Sequence, residues 1–145
     1  MEIKEQAEKL QKRVKKYILC AIDSEGYPTA KAVLPSKDRE HLGDLFFVTN
    51  TNSNYVRDIL KNSKASVYFF NPILFKGCLL KGEMTICNDR AVKAKLWKSS
   101  YKSAYPNPEQ TYDDPDFCVL KFRAIHGRFY SMFKTFDFDL KTKSI

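Results

Sequence analysis

The chain has 145 residues, a formal net charge of +8, 43% hydrophobic residues and 14% aromatic residues. A chain of this length and composition can bury a core, which excludes a largely disordered protein and predicts a single domain over residues 1–145. No apolar run approaches the roughly 18 residues of a membrane span, and the N-terminus is charged without an apolar signal segment. We therefore expect a cytoplasmic protein that has no membrane as a partner.

The cysteines and the basic residues argue against two further classes of function, metal binding and nucleic-acid binding. The four cysteines are far apart and form no C-x-x-C pair, so we expect reduced thiols and no metal site. A run of basic residues between Arg90 and Lys102 allows nucleic acid as a partner, but aromatic residues are not interleaved with it as a single-strand-binding groove requires. We therefore favour a solvated helix face for this run and regard a nucleic-acid partner as the weaker alternative.

The periodicity of apolar residues predicts a mainly β fold, a β-barrel of six to seven antiparallel strands with flanking helices. Gly82 lies inside a predicted strand and indicates a bend or bulge. A parallel Rossmann sheet is disfavoured because long helices do not alternate with the strands and no G-x-G-x-x-G motif is present. In chain order the predicted elements are a helix over Met1–Lys16, strands over Tyr17–Ile22, Pro28–Leu34 and Asp44–Thr49, a helix over Asn52–Asn62, strands over Ala65–Phe70 and Gly77–Cys87, a helix from Asn88 or Asp89 to about Ser100, strands over Phe117–Arg123 and Ala124–Met132, and a tail that adds an edge strand or covers a partner.

The junction after the third strand is the most informative part of the sequence. The apolar run Phe46–Thr49 stops at the small hydroxyl and amide residues Asn50–Asn54, and a helical run with the apolar residues Val56, Ile59 and Leu60 follows. Backbone N–H groups and the positive end of the helix dipole meet at such a junction and favour a phosphate group. The alternative is that Asn52 or Ser53 only caps the helix. We predict a phosphate-bearing cofactor at this junction.

Several segments in this order resemble the pyridoxamine 5'-phosphate oxidase-like family of FMN-binding split β-barrels, and most of all its general-stress-protein branch. The resemblance covers nearly the whole chain. It is carried by Pro28–Val33, by Phe46–Thr49 followed by Ser53, by Asn62–Phe69, by Lys81–Ile86 and by Asp113–Phe122.

The resemblance implies a homodimer with FMN at the subunit interface. Lys31, Ala32 and Val33 would line the isoalloxazine ring, partly through their backbone, and Thr49 and Ser53 would hold the phosphate. It does not identify a catalytic residue. The remaining cofactor-binding candidates are Asn50, Asn54 and Tyr55 at the same junction, and Lys76 and Gly77 of the partner chain.

The sequence departs from the family at the phosphate site. The family usually has a basic residue two positions after the serine, and often one directly after it, where this chain has Tyr55 and Asn54. A charge-assisted hydrogen bond to phosphate is about twice as strong as a neutral one. Lys31, Arg57 or Lys61 are the nearby cations that could replace the missing charge.

The expected function is that of an FMN-dependent oxidoreductase whose substrate and electron donor the sequence does not identify. A flavin carries the redox chemistry itself, so the absence of an acid–base pair or nucleophile from the sequence pattern does not argue against an enzyme. We consider pyridoxamine 5'-phosphate oxidase activity itself less expected than another FMN-dependent activity, because the chain is short for that enzyme. The alternatives are a non-catalytic module that binds flavin or another anionic ligand, a deazaflavin or haem in the same fold, and a basic barrel that binds nucleic acid.

Overall fold

The computed structural model describes residues 2–36, 42–105, 109 and 111–140. The described residues form three α-helices, one 3-10 helix and seven β-strands. The predicted loop at residues 35–43 falls mostly outside the described residues, as does part of the loop at residues 101–115. The elements are α1 (Ile3–Arg13), β1 (Tyr17–Ile22), β2 (Pro28–Val33), β3 (Asp44–Asn50), α2 (Asn54–Lys61), β4 (Lys64–Asn71), β5 (Lys76–Cys87), α3 (Arg90–Leu96), a 3-10 helix (Ser99–Ser103), β6 (Phe117–Ser131) and β7 (Lys134–Asp139).

The strands form one antiparallel sheet in the order β2-β1-β4-β5-β6-β3, and β7 also pairs with β6. The predicted class, a β-barrel with flanking helices, is confirmed. Strand β6 was predicted as two strands and is in fact continuous. One edge of β6 pairs with β5 along most of its length, while the other edge pairs first with β3 and then with β7. This exchange of partners at one edge of β6 is what splits the barrel.

A β-bulge lies between β5 and β6. Lys81 pairs with His126 and Gly82 pairs with Ala124, so Ile125 has no opposite residue on β5. A Cβ atom at position 82 would overlap the carbonyl oxygen of Arg123, and glycine is therefore required there. The predicted irregularity at Gly82 is confirmed.

The main core lies inside the curled sheet. Tyr17 of β1 and Phe47 of β3 meet across it, with their ring centroids 6.1 Å apart. Helix α1, which was predicted, packs Ala7 and Leu10 against the core. Helix α2 contributes Val56 and Ile59, whereas Leu60 is 70% exposed. Leu60 was predicted on the same apolar face as Val56 and Ile59, and this was wrong because Tyr55 packs on the core and the buried stripe of α2 is centred away from Leu60.

A second apolar cluster covers the other face of β3 and β6. Trp97, Tyr105 and Phe117 pack in it with edge-on and tilted rings at centroid distances of 5.1–5.9 Å. The carboxylate of Asp89 caps α3 by accepting the Ala91 N–H at 2.9 Å. Helix α3 ends at Leu96, earlier than predicted, so that Trp97 can turn into this cluster. No helix among the described residues is long and apolar enough to cross a membrane.

We predict that Gly82→Ala destabilises the protein by about 1–3 kcal/mol, because the added methyl group displaces either β5 or the Arg123 carbonyl group. Thermal unfolding followed by circular dichroism measures this loss. Gly43→Ala is the matched control, since a Cβ atom at Gly43 meets nothing within 4 Å and its backbone is not left-handed. Equal melting temperatures for the two variants would contradict the tight bulge.

Candidate functional site

Strand β2 forms one edge of the sheet, and its residues alternate between the two faces. Lys31 pairs with the buried Leu19 of β1, so both side chains project from the core face. Ala30 and Ala32 pair with Cys20 and Ile18 and project from the outer face. At this edge the core face of β2 lies beside helix α2.

Helix α2 starts with the cap that one of the sequence alternatives predicted. The Ser53 hydroxyl oxygen accepts the N–H of Val56 at 3.3 Å, and the Ser53 N–H donates to the Asn50 carbonyl oxygen at 3.0 Å. From this start, Asn54, Arg57 and Asp58 follow at the three- and four-residue spacing of one helix face. Lys61 continues the same face one turn further along.

This polar face of α2 and the edge strand β2 enclose a cavity of about 560 Å³, the β2–α2 cavity. Its volume lies within the range of small-molecule sites. Three cations and two carboxylates line it, so the cavity carries a net positive charge. The lining residues are Asp23, Ser24, Thr29, Ala30, Lys31, Asn54, Tyr55, Arg57, Asp58 and Lys61.

Several of these polar groups are held in place by their neighbours. The Asp23 carboxylate accepts the N–H groups of Glu25 and Tyr27, both at 2.9 Å. The Thr29 hydroxyl donates to the Ala21 carbonyl oxygen at 3.1 Å, and the Arg57 guanidinium donates to the Asn54 side-chain oxygen. The turn after β1 and the first turn of α2 are therefore fixed around the cavity.

Tyr55, which stands where the family usually has a basic residue, forms part of the cavity wall. Its ring packs against the core, and its hydroxyl lies 3.5 Å from the Leu19 carbonyl oxygen. Burial raises the pKa of the Tyr55 phenol, with the Thr29 side chain acting in the opposite sense. The hydroxyl therefore stays protonated at neutral pH and supplies no charge. The cations that line the cavity are Lys31, Arg57 and Lys61.

The structure brings Lys31, Asn54 and Tyr55 together in this cavity. Of the other β2 candidates, Ala32 is exposed on the outer face and Val33 packs against the core. Thr49 lies at the end of β3, where its carbonyl oxygen accepts the Tyr105 hydroxyl at 3.0 Å. These residues do not line the cavity.

The remaining predicted residues lie elsewhere within one chain. The side chain of Asn50 is exposed, and Ser53 stands directly before the cavity wall as the helix cap. Lys76 and Gly77 begin β5 at the other end of the sheet, where Tyr130 packs over Gly77. They were predicted to act from a partner chain, so their role stays a prediction.

Four polar residues of the cavity were not predicted from the sequence: Asp23, Ser24, Thr29 and Asp58. Asp58 could have been predicted from the sequence, because it lies four residues after Asn54 and therefore on the same face of the helix. Asp23 and Ser24 lie in a turn typical of hairpins, and their contribution depends on how α2 packs over β1.

The described residues hold no cluster of three or more His, Cys, Asp or Glu side chains that could bind a metal. Nδ1 of His126 lies 3.1 Å from Asp139 and its Nε2 lies 3.4 Å from Asp137. His126 thus links β6 to β7.

Residues 4–140 match the family described as pyridoxamine 5'-phosphate oxidase like. Among solved structures, this chain is similar to a Clostridium acetobutylicum protein related to general stress protein 26. The two are 31% identical in sequence, the similarity covers 94% of this chain and 93% of that chain, and the TM-score is 0.79. An FMN-binding protein from Nostoc punctiforme, related to pyridoxamine 5'-phosphate oxidase, is 14% identical with 95% of each chain covered and a TM-score of 0.67. A heme-binding protein from Mycobacterium smegmatis is 16% identical, with 96% of this chain and 58% of that chain covered and a TM-score of 0.72. The sequence has no significant match among curated proteins. The match along nearly the whole chain, together with the split barrel, shows that this protein belongs to the pyridoxamine 5'-phosphate oxidase-like family.

Proposed function

We propose that the protein is a cytoplasmic, homodimeric flavoprotein that binds FMN in the β2–α2 cavity and acts as an oxidoreductase. The observation that carries this proposal is the convergence of Lys31, Arg57 and Lys61 on a cavity that begins at the capped start of α2. The family and the FMN-binding relative of the same fold support it. The four free cysteines are consistent with a reducing compartment.

The donor set of the cavity fits a phosphate ester of a polyol. Arg57 stands on the first turns of α2, where its guanidinium can bind phosphate oxygens in a bidentate manner. The Ser53 hydroxyl accepts a hydrogen bond as the helix cap and can still donate its own proton. Asn54, Thr29 and Ser24 supply neutral donors and acceptors for hydroxyl groups.

Lys31 is the candidate for the redox-active end of the ligand. FMN, when bound, supplies the hydride and electron transfer chemistry. Lys31 projects from the edge strand rather than from α2, so its ammonium group can lie near the ring and stabilise negative charge there. Ala32 and Val33 offer the backbone of the same edge strand. The partner's Lys76 and Gly77 remain the proposed residues that close the site.

The first experiment compares FMN with riboflavin, which lacks the phosphate. Apo protein is titrated with each ligand, and flavin fluorescence reports binding. We expect FMN to bind more tightly than riboflavin, and we expect Arg57→Gln to weaken FMN binding by roughly tenfold or more through the loss of a charge-assisted hydrogen bond. Lys61→Gln should have a smaller effect, because Lys61 lies about 6 Å further from the helix start than Arg57.

Lys102→Gln is the matched control for that titration, because Lys102 lies on the exposed 3-10 helix away from the cavity. Its affinity for FMN should equal that of the wild type. Equal affinities of the wild type for FMN and riboflavin would overturn the phosphate site. Oxidation of NADH or NADPH by the FMN-loaded protein distinguishes an oxidoreductase from a non-catalytic flavin-binding module.

The role of Lys31 is tested by the flavin reduction potential. We expect Lys31→Met to lower the potential of bound FMN, because a positive charge near the ring favours its reduced, anionic form. Potentials are measured by equilibration with a reference dye, with Lys102→Gln as the control. A potential unchanged from that of the wild type would rule out this role.

The two roles of Ser53 can be separated by two substitutions. Ser53→Ala removes the cap and should cost about 0.5–2 kcal/mol of stability, measured by urea unfolding of the apo protein. Ser53→Asp retains a capping oxygen and should leave stability nearly unchanged, while its negative charge repels a phosphate and lowers FMN affinity. If Ser53→Asp binds FMN as tightly as the wild type, the phosphate does not lie at the start of α2.

A further inference from the structure

Basic side chains are concentrated on helix α3 and directly after it. Arg90, Lys93 and Lys95 lie on α3, Lys98 follows two residues after its end, and the segment 90–98 contains no carboxylate. Lys95 is exposed, and Lys93 and Lys98 are half-buried. None of these cations lines the β2–α2 cavity. The proposed FMN site therefore does not account for this part of the positive charge.

A further cation extends this basic region onto the sheet. Lys121 of β6 lies over Phe46 of β3, with its Nζ atom 6.0 Å from the centroid of the Phe46 ring. The Phe46 ring packs against the second apolar cluster, to which α3 contributes Leu96. Lys121 and α3 therefore border the same cluster. We call the surface formed by Lys93, Lys95, Lys98 and Lys121 the α3 surface.

Aromatic rings lie beside the cations of this region. The Nζ atom of Lys98 lies 5.9 Å from the ring centroid of Tyr101, and the guanidinium carbon of Arg90 lies 5.8 Å from that of Tyr112. Like Phe46, both rings are half-buried and pack against the second apolar cluster. In the sequence the rings are not interleaved with the basic run, because Phe46 and Tyr112 come from distant segments. Folding brings them together, and the surface thus combines cations and rings as a single-strand-binding site requires.

Three carboxylates around this region are engaged in contacts of their own. Asp89 is the cap of α3. Asp113 accepts a hydrogen bond from the Arg90 guanidinium at 3.0 Å, so these two charges neutralise each other. Asp114 is buried and accepts the N–H of Asp116 at 2.8 Å. The lysines therefore carry the positive charge of the α3 surface.

A small cavity, the strand-end recess, opens beside Lys93 between α3, the end of β5 and the start of β6, with a volume of about 260 Å³. Among the described residues that line it, Lys93 is the only charged one, and Ile86, Phe117 and Val119 give it apolar walls. Burial raises the pKa of the Cys118 thiol in this recess, and the positive charge of Lys93 acts in the opposite sense. The volume is below that of typical small-molecule sites, so the recess fits one planar ring rather than a whole cofactor.

We propose that the α3 surface binds single-stranded nucleic acid, with phosphates on its four lysines and bases against the rings of Tyr101 and Phe46 and in the strand-end recess. A single strand presents phosphates and the faces of its bases together, which matches the pairs of cations and rings. An acidic peptide would use the cations but not the rings. A lipid surface requires exposed large apolar side chains, and among the described residues none of these lies on α3 or the 3-10 helix. This surface is separate from the β2–α2 cavity, and its binding of nucleic acid does not depend on FMN.

The test measures binding of a fluorescein-labelled oligothymidylate of about 16 nucleotides by fluorescence anisotropy, between about 50 and 200 mM salt. Four lysine–phosphate contacts predict a slope of about −3 for log affinity against log salt concentration, because each contact contributes about −0.7. We expect Lys95→Gln/Lys98→Gln to make this slope shallower by about 1.4. The matched control Lys4→Gln/Lys9→Gln, at exposed lysines of α1, should leave the slope unchanged. Equal effects of the two double variants, or no binding at the lowest salt concentration, would overturn the proposal.

The contribution of the rings is tested separately from that of the charges. Tyr101→Leu should weaken binding by roughly tenfold without a change in the salt slope, while Tyr101→Phe keeps the ring and should bind like the wild type. Tyr101 also packs on Phe117, so circular dichroism melting curves must show that the leucine variant is folded. Duplex DNA provides the same comparison on the unchanged protein. Its bases are stacked on each other, and we expect it to bind more weakly than the oligothymidylate at about 200 mM salt; equally tight binding would overturn the proposal.

Two competitors identify the occupant and the site. Polyglutamate should displace the oligonucleotide only weakly, and displacement as effective as that by unlabelled oligothymidylate would indicate an acidic protein partner and overturn the proposal. Saturating FMN and the Arg57→Gln substitution should both leave oligonucleotide affinity unchanged, because the β2–α2 cavity and the strand-end recess share no lining residue. If FMN displaces the oligonucleotide, the strand binds in the β2–α2 cavity and the α3 surface is not its site. A failure of the FMN titration, in contrast, would overturn the proposed flavin site and leave the α3 surface unaffected.

Discussion

The close approach of Gly82 to the Arg123 carbonyl group is the constraint on which the rest of the structure depends. It creates the bulge at which β6 changes its edge partner from β3 to β7. Before the bulge, β6 holds β3, and the end of β3 leads into the cap of α2. After the bulge, β6 holds β7 and the exposed β6–β7 turn. Both the β2–α2 cavity and the outer face therefore depend on a position where only glycine fits.

The positive charge of the β2–α2 cavity does not depend on position 55, where this chain departs from the family pattern. Position 55 carries a phenol that packs on the core and reaches the backbone of β1, so it gives no positive charge. Arg57 lies two residues later on the face that lines the cavity, and Lys61 follows one turn further. The cations of α2 thus line the cavity, while Tyr55 packs α2 against the sheet. Both cations lie further from the helix cap than position 55 does.

The two faces of the sheet have different tasks. The core face holds the apolar interior and, at the edge strand, the side chain of Lys31. The outer face carries the stacked rings of Tyr68 and Phe70, whose centroids lie 5.4 Å apart, and the exposed cations Lys81 and Arg128. The apolar parts of a sheet surface need a cover that excludes water. Helices α1 and α2 pack on the core side, and α3 with the 3-10 helix packs on the outer face of β3 and β6.

The sequence by itself determined the parts of this structure that depend on local pattern. Period-two and period-four spacing of apolar residues gave the strand and helix order, Gly82 marked the bulge, and Ser53 was one of the two predicted caps. Resemblance along the chain indicated the split barrel and placed Lys31, Asn54 and Tyr55 near one site. Local pattern succeeds here because side-chain direction within a strand or helix follows from the backbone geometry alone.

Only the tertiary structure decided which of these residues meet. Three differences from the sequence prediction depend on partners distant in sequence. The two last predicted strands form the single strand β6, Leu60 is exposed, and α3 ends early. The same holds for the convergence of Asp23, Thr29 and Arg57, which comes from the packing of α2 against β1. Hairpin turns at residues 73–75 and 132–133 are likewise unrelated in sequence, and they form one protrusion because β5 and β6 pair. Contacts of this kind depend on strand register and on the packing of separate elements, which no short stretch of sequence encodes.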